Sequence, residues 1–249
     1  MPAPRLAYVL LFASLAAHAA DIRVLSGNGA RAAMIGLIAS FDRASGNKSV
    51  VEFAVNPEAK AKIESGKVPF DVAILNPQVL DELIRGGRIV SSTRTIIGRA
   101  GIGVGVREGA PRPDISTVSA FKRALLNAKT VAYPSEAASG KHFTSLVQRL
   151  GIAEAMRPRL RPMPADYNVE SVANGEAELI VVVTSRISGV PGVTLVGRIP
   201  EELQTWIGFT GGVSSVARQP AAARAMLRYF ASPAAAAILR ANGVEPFAE

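Results

Sequence analysis

Small and polar residues follow several apolar runs of this sequence, and their types suit the binding of an anion or another polar ligand. The first such stretch consists of Gly27, Asn28, Gly29 and Ala30. It directly precedes an amphipathic helix that Gly46 is predicted to end. The first N–H groups of a helix have no partner within the helix and attract negative charge. Without bulky side chains around them, these groups are predicted to cradle an anion or a polar ligand.

Later stretches have the same character and add side chains that bind anions. They contain Asn56, Asn76, the run Ser139, Gly140 and Lys141, and the pair Thr184 and Arg186. The lysine would neutralise a carboxylate or an oxyanion, and the planar guanidinium fork of the arginine suits a carboxylate. A purely structural interpretation stays open for each residue, since asparagine caps helices well and most lysine and arginine side chains are solvated.

The sequence offers little for catalysis or for a metal ion. It has no cysteine, and His142 is the only histidine beyond residue 20. A histidine-rich or thiolate metal site is therefore excluded, and a Ser-His-Asp triad would use His142 without the G-x-S-x-G elbow. Segment 138–142 also lacks the first glycine and the Ser/Thr of a P-loop. We expect no catalytic residue, no metal and no cofactor, and hence a protein that is not an enzyme.

One competing motif indicates a dinucleotide. Gly27, Gly29 and Ala32 have the spacing of a G-x-G-x-x-A fingerprint after a strand, and Glu52 lies near the expected distance of about 20 residues. Glu52 falls inside a predicted strand rather than at its end. An exported dinucleotide-dependent oxidoreductase is therefore the least favoured alternative.

The elements that position these residues are predicted to be strand-to-helix units. Residues 22–25, 49–55 and 70–75 have the composition of strands, and each is followed by a helix. The dipeptides at 56–57 and 76–77 are Asn-Pro, which predicts an asparagine N-cap followed by proline at the first helical position. Three such units in succession predict an α/β fold with a mostly parallel sheet flanked by helices.

A second lobe is predicted beyond a glycine-lined strand at 98–106, because such a strand marks a bend or a close backbone approach. The second lobe repeats the pattern, with strands at 130–133 and 179–183 and a turn at 184–186. Polar loops at the strand ends of two lobes can close around a ligand. The predicted lobes are 21–98 with 203–249, and 99–202.

Residues 1–20 have the pattern of a secretory signal peptide. Arg5 precedes an apolar run at 6–17, and Ala17-His18-Ala19 offers a cleavage site. The run is shorter than the roughly 20 residues that span a membrane. We therefore expect a periplasmic protein, secreted through a cleaved leader and without disulfides or a lipidated thiol.

The positive charge of the chain does not indicate a nucleic-acid partner. The formal net charge is +8, but the basic residues are scattered, without a dense run or interleaved aromatic residues. We expect a solvated basic surface, no binding of nucleic acid, and a monomer.

The order and spacing of several stretches resemble the molybdate-binding proteins of ABC importers and the wider type 2 periplasmic solute-binding family. These stretches are Ile22-Arg23-Val24-Leu25, Ile63-Glu64-Ser65-Gly66, Phe70-Asp71-Val72-Ala73-Ile74, Val131-Ala132-Tyr133-Pro134 with Ser139-Gly140, and Ser232-Pro233-Ala234-Ala235-Ala236. The resemblance implies a two-lobed fold with a ligand cleft between the lobes. It also implies capture of a small anionic or polar solute for the membrane permease of an ABC importer. In this family the second lobe lines the cleft where this chain has Asp166, Tyr167 and Asn168.

Three positions depart from the family pattern. Molybdate binders usually have a serine in the first loop, where this chain has Gly29, and a serine run in the second, where 55–57 reads Val-Asn-Pro. A tyrosine late in the second lobe corresponds to Val183 here. Because neutral hydroxyl and amide donors hold molybdate, the resemblance implies the same scaffold with a different ligand, either an oxyanion or an organic acid.

Functions of different classes stay open. A solute receptor of an importer is favoured by the leader, the strand-end loops and the resemblance. A sensor or scaffold subunit without a transport role is the main alternative, because the family hydroxyls are replaced.

Overall fold

The computed structural model describes residues 21–164 and 167–247, so the predicted leader and Asp166 lie outside the described residues. The strands in this part of the chain are β1 (Asp21–Gly27), β2 (Lys48–Ala54), β3 (Val72–Leu75), β4 (Thr95–Arg107), β5 (Val131–Pro134), β6 (Leu160–Met163), β7 (Leu179–Val183), β8 (Val193–Arg198), β9 (Trp206–Val213) and β10 (Glu245–Pro246). The helices are α1 (Arg31–Ser45), α2 (Asn56–Ser65), α3 (Pro77–Arg85), α4 (Val118–Asn127), α5 (Ala138–Arg149), α6 (Ala153–Met156), α7 (Glu170–Ala173), α8 (Thr184–Ile187), α9 (Pro220–Phe230) and α10 (Pro233–Ala241). Single 3-10 turns occupy Asn28–Ala30, Ser91–Thr93 and Glu201–Leu203.

The strands form one sheet in the order β2-β1-β3-β9-β4-β7-β5-β6, and β8 and β10 also pair with β4. Pairing is parallel on both sides of the centre, between β1 and its neighbours β2 and β3 and between β5 and its neighbours β6 and β7. The central strands β4 and β9 run antiparallel to their partners. The predicted α/β class is confirmed, with parallel units joined by antiparallel strands.

Strand β4 changes partners along its length. Residues 95–101 pair with β9, whereas residues 102–106 pair with β7. The glycines permit close backbone approach, because a Cβ at Gly98 would lie 2.5 Å from the Glu245 carbonyl oxygen and one at Gly103 would lie 2.8 Å from the Gly197 oxygen. This change of partners is compatible with two lobes, but the lobe boundaries stay a prediction.

The apolar stripe of the first helix is buried as predicted. Its members Ala30, Met34, Leu37, Ile38 and Phe41 all belong to the large hydrophobic core that covers the sheet. Gly46 ends α1 in the left-handed region with φ of 73°, as expected for a C-terminal glycine. The helix is therefore anchored by its buried face and presents its first turn at the end of β1.

Two local predictions are wrong. Helix α2 begins at Asn56 itself, and Val55 occupies the N-cap position, so Asn56 is not the cap. Residues 184–186 were expected to form a turn leading out of β7, but they form helix α8, which is buried. None of the helices in the described ranges combines the length and the apolar character needed to cross a membrane.

Candidate functional site

A cavity of about 280 Å³ collects the starts of several helices from the two sides of the sheet's centre. It is lined by Asn28, Gly29, Val55, Asn56, Pro57, Lys60, Asn76, Val79, Glu136, Ala137, Ala138 and Lys141. The first half of the chain contributes the turn after β1 and the first turns of α2 and α3, and the second half contributes the start of α5. We call this cavity the cleft. It brings together Asn28, Gly29, Asn56, Asn76 and Lys141 of the predicted site residues.

The helix starts around the cleft keep their backbone N–H groups free of side-chain caps. In the described residues, the N-cap residues of α1, α2, α3 and α5 make no side-chain hydrogen bond to the first turn. Proline occupies an early position of both α2 and α3, which leaves fewer donors at each start. The remaining N–H groups and the aligned peptide dipoles favour an anion in the cleft.

None of the cleft asparagines caps a helix with its side chain, although Asn76 occupies the N-cap position of α3. The Asn56 side-chain Oδ1 accepts a hydrogen bond from the Asn76 backbone N–H at 2.9 Å, which ties the start of α2 to the start of α3. The Asn28 Oδ1 accepts from the Arg31 guanidinium at 3.0 Å. A Cβ at Gly27 would lie 3.3 Å from the Asn56 side chain, so glycine at the end of β1 leaves room for this link.

The charges at the cleft are two lysines and one carboxylate among the lining residues. Lys60 donates to Glu82 at 2.7 Å, and this bond raises the pKa of Lys60. The exposed ammonium of Lys141 has no hydrogen bond or ion pair with any other described residue. Lys141 is therefore the cation that is best placed to receive an anionic ligand.

Residues 139 and 140 support the start of α5 rather than line the cleft. Ser139 is buried, and a Cβ on Gly140 would lie only 1.8 Å from the Pro134 carbonyl oxygen. Glycine at position 140 thus allows the first turn of α5 to pack on the end of β5. This packing carries Ala138 and Lys141 to the cleft.

Helix α8 lies behind the first loop and outside the cleft lining. Ser185 donates its hydroxyl to the Gly29 carbonyl at 2.5 Å, and Thr184 donates to the Gly243 carbonyl at 2.9 Å. Arg186 is buried and lies 3.8 Å from Glu170 in an ion pair. A Cβ at Gly29 would approach Phe209 to 3.3 Å and Val183 to 3.9 Å, so the first loop is packed against β7 and β9.

Tyr167 and Asn168 also lie outside the cleft lining. The Tyr167 hydroxyl donates to Glu176 at 2.6 Å, which raises the pKa of the phenol, and accepts from Asn174 at 2.7 Å. Asn168 is 1% exposed and donates to the Pro164 carbonyl. Both residues stabilise the local turn before α7.

A second compartment of about 390 Å³ adjoins the cleft and shares Asn76 and Ala138 with it. His142 and Trp206 line this compartment. The His142 Nε2 lies 3.0 Å from the Leu203 carbonyl oxygen. Sequence reasoning missed this compartment because α3, α5 and β9 are distant in sequence.

Sequence reasoning also missed Lys60 and Glu136 as cleft residues. Glu136 lies between β5 and α5, three residues before the run 139–141 that was predicted to bind, so its position could have indicated a cleft residue. Lys60 lies one turn into α2, and the helical period alone would have placed it near the start of that helix. Lys60 was not predicted because it lies inside a helix and outside the loops that follow the strands.

The acidic residue of the dinucleotide fingerprint takes part in an ion pair on the surface. Glu52, the acidic residue of the dinucleotide fingerprint, pairs with Lys62 at 2.6 Å. No group of three or more His, Cys, Asp or Glu side chains that would hold a metal ion occurs in the residues that the structure describes.

Two larger cavities of about 410 Å³ each lie elsewhere, one beside α4 and one at the amino ends of β1 and β3. Neither collects helix starts from both halves of the chain. The smaller cleft is therefore the stronger candidate for the main site, since it lies at the carboxyl ends of β1, β3 and β5.

This fold and this cleft define a periplasmic-binding-protein architecture. The chain belongs to the bacterial extracellular solute-binding proteins, whose family model matches residues 22–245. It is 33% identical over 230 residues to a protein named aconitate isomerase from a Pseudomonas species. The aligned region covers 90% of this chain and 87% of that relative.

Solved structures show the same fold. The periplasmic molybdate-binding protein of Azotobacter vinelandii superposes with a TM-score of 0.77 at 16% identity, over 91% of this chain and 100% of that chain. The sulfate-binding protein SubI of Mycobacterium tuberculosis superposes with a TM-score of 0.71 at 14% identity, over 91% and 87% of the two chains. The predicted resemblance to molybdate-binding proteins of the type 2 fold is confirmed.

Proposed function

We propose that this protein captures a small organic anion with two or more carboxylates in the cleft. The observation that carries the proposal is a cavity between the two halves of the chain where helix starts without a bond from their N-cap side chains meet Lys141, whose ammonium has no partner among the described residues. Backbone N–H groups and a lysine suit carboxylates, which are acceptors only when ionised.

A polycarboxylate is favoured over molybdate for two reasons. By the family resemblance, Gly29 and Val183 stand where molybdate binders have hydroxyls, and a Cβ on Gly29 would lie 3.9 Å from Val183, so both missing hydroxyls belong to one region. The relative named aconitate isomerase shares about a third of its residues with this chain, and aconitate is a tricarboxylate. We extend that ligand class, and not a particular compound, to this protein.

The proposal includes transport. We infer that residues 1–20 direct export, that the mature protein works as a monomer in the periplasm, and that it delivers its solute transiently to the permease of an ABC importer. A sensor role on the same fold would need the same cleft but no permease. Small-angle scattering with and without ligand distinguishes a receptor that compacts from a rigid scaffold.

Binding is tested by calorimetric titration of the purified protein with cis-aconitate, trans-aconitate, citrate, sulfate and molybdate. A true ligand at about 100 times its Kd should raise the free energy of unfolding by about 2.7 kcal/mol. Binding of a polycarboxylate with no response to molybdate supports the proposal. Binding of molybdate alone, or of no anion in the panel, overturns it.

An isomerase is the second candidate, favoured by the same relative and by Glu136, which lines the cleft together with Lys141. A carboxylate base can remove a proton from the methylene carbon of aconitate and return it to the former vinyl carbon as the double bond moves to the former methylene carbon, with no net change in atoms. Lys141 would stabilise the added charge of the intermediate carbanion.

Proton NMR of trans-aconitate in D2O tests this second candidate. Catalysis would give cis-aconitate and deuterium at the exchanged carbon, and Glu136→Gln would stop both while trans-aconitate still binds. Tight binding without conversion or deuterium exchange contradicts the isomerase and leaves the receptor.

A further inference from the structure

We propose a second anion site, independent of the cleft and of the function proposed for it, that binds phosphate groups at the amino ends of β1 and β3. A cavity of about 410 Å³ opens there. Its lining residues are Arg23, Ile63, Gly66, Lys67, Val68, Pro69, Phe70, Asp71, Arg88, Ser214, Ser215, Val216 and Arg218. We call this cavity the basal pocket. The four residues of β3 separate it from the cleft by about 13 Å.

Cations dominate the basal pocket. Arg23, Lys67 and Arg218 have exposed side chains that make no hydrogen bond or ion pair with other described residues. Lys60, Lys62 and Arg94 of the same half, in contrast, each pair with a carboxylate. The cationic groups of the basal pocket are therefore available to an outside partner.

The one carboxylate in the lining is already occupied. Asp71 is 2% exposed, and its oxygens accept from the backbone N–H groups of Arg23 at 2.9 Å, Arg218 at 2.7 Å and Gln219 at 3.0 Å. These bonds take up three of the roughly four acceptor positions of a carboxylate, and its burial leaves little of it open to the guanidinium groups. They also fix the two backbone segments that carry Arg23 and Arg218.

The third arginine is held by a separate set of bonds. The Arg88 carbonyl accepts from the Ser215 N–H at 3.0 Å and from the Ser215 hydroxyl at 3.2 Å. Its guanidinium donates to the Glu64 carbonyl at 2.9 Å, which leaves its other N–H groups for a ligand. Three arginines from three segments are thus anchored through their backbones around one open pocket.

This arrangement suits a phosphate group. Guanidinium forks donate two parallel hydrogen bonds to phosphate oxygens, and three arginines with one lysine exceed the charge of a dianion. Two sources carry that group, free inorganic phosphate and the headgroup of an anionic phospholipid. The exposed Val216 at the rim, 79% accessible, would meet the membrane surface in the second case.

The test uses the full mature protein and two charge-matched variants. The double variant Arg23→Gln and Arg218→Gln removes two charges from the basal pocket and leaves the backbone bonds to Asp71 in place. The control Arg43→Gln and Lys48→Gln removes two exposed charges from the end of α1 and the start of β2. Circular dichroism checks that both variants fold.

Binding is measured by calorimetry with inorganic phosphate and by co-sedimentation with phosphatidylcholine vesicles that contain or lack phosphatidylglycerol. We expect the pocket variant to bind about tenfold more weakly and the control to change less than about twofold. Loss with phosphate identifies a soluble ligand, and loss with the phosphatidylglycerol vesicles alone identifies a lipid headgroup. Either result supports the site.

Other outcomes overturn the proposal. Absence of binding to phosphate and to both kinds of vesicle removes the site. Equal losses of affinity in the pocket and control variants would show that binding depends only on the net charge of the protein. Phosphate binding that Lys141→Met abolishes and the pocket variant leaves intact would assign the phosphate to the cleft instead.

Discussion

The helix starts at the two ends of β3 differ in whether a buried carboxylate accepts from their backbone N–H groups. At the amino end, Asp71 places a buried carboxylate against the backbone N–H groups that lead into α9. At the carboxyl end, α2, α3 and α5 begin around the cleft with no bond from an N-cap side chain to the first turn, and Asn56 accepts from the Asn76 N–H with a neutral amide oxygen rather than a carboxylate. At the amino end, the carboxylate of Asp71 accepts from the backbone N–H groups. At the carboxyl end, the backbone N–H groups of the helix starts lie around a cavity.

This difference distinguishes a helix start that stabilises the fold from a helix start that binds a ligand. A buried carboxylate that accepts three backbone donors fixes the loops around it and contributes stability. Donors that face a cavity contribute little to stability and are completed by water or by a ligand. We therefore expect substitutions at the Asp71 end to change unfolding, and substitutions at the cleft to change ligand affinity.

The largest effect is expected for Asp71→Asn. The amide presents N–H groups toward backbone donors and removes the charge, so the free energy of unfolding should fall by about 2–4 kcal/mol. Urea unfolding followed by linear extrapolation measures this change. Asp114→Asn, at an exposed carboxylate that accepts from Ser116, is the control and should cost far less. If Asp71→Asn lowered the free energy of unfolding by less than about 0.5 kcal/mol, the stabilising role of the Asp71 carboxylate would be contradicted.

Lys141→Met tests the cleft end of the comparison. Its ammonium is exposed and unpaired within the described residues, so stability should stay within about 0.5 kcal/mol of the wild type. Affinity for a polycarboxylate should fall about tenfold, equivalent to about 1.4 kcal/mol, and Lys141→Arg should restore much of it. Calorimetric titration measures the dissociation constants of Lys141→Met and Lys141→Arg, with Lys48→Met as the control. Unchanged affinity would remove Lys141 from the binding site.

Ser185→Ala tests the support behind the first loop. The hydroxyl donates to the Gly29 carbonyl, and its loss should lower the free energy of unfolding by about 1 kcal/mol. Because Gly29 lines the cleft, ligand affinity should fall as well, by a factor smaller than for Lys141→Met. Thr144→Ala, at a hydroxyl that bonds within α5, changes a hydrogen bond outside the loop and is the control. Lost stability with unchanged affinity would show that Ser185 does not position the cleft.

The smallest effect is expected for the exposed pair of Asp81 and Arg94. Arg94 donates to Asp81 at 2.7 Å and lowers the pKa of that carboxyl. A lowered folded-state pKa gives stability that is present above the ordinary value of about 3.9 and is lost as the pH falls through the folded-state value. Since both side chains are about a third exposed, Asp81→Asn should cost under about 1 kcal/mol at neutral pH. The difference from wild type should vanish in acid, and a constant difference would contradict the ion pair.

Local patterns in the sequence were sufficient for most of the fold. The strand at 179–183 and the end of α1 at Gly46 were predicted where the structure has them, because each depends on neighbouring residues alone. The antiparallel centre was not predicted. It depends on β9, which returns to pair with both β3 and β4 from far along the chain.

The site was predictable only in part for the same reason. Asn56 was interpreted as a cap, yet its side chain bonds the backbone of Asn76, 20 residues away. Residues 184–186 were interpreted as a turn, yet they form a buried helix in which Ser185 bonds Gly29 across 156 residues. Polar residues satisfied by distant backbone groups have no periodic signal, so sequence reasoning found the loops but not what holds them.

The central claim is that an anion binds where the starts of α2, α3 and α5 meet. Mapping of backbone amide NMR shifts during titration with trans-aconitate tests it most directly. The claim predicts the largest shifts at Gly29, Val79 and residues 138–141, with little change near Asp71. Shifts confined to the basal pocket or to the cavity beside α4, with none at the cleft, would contradict it.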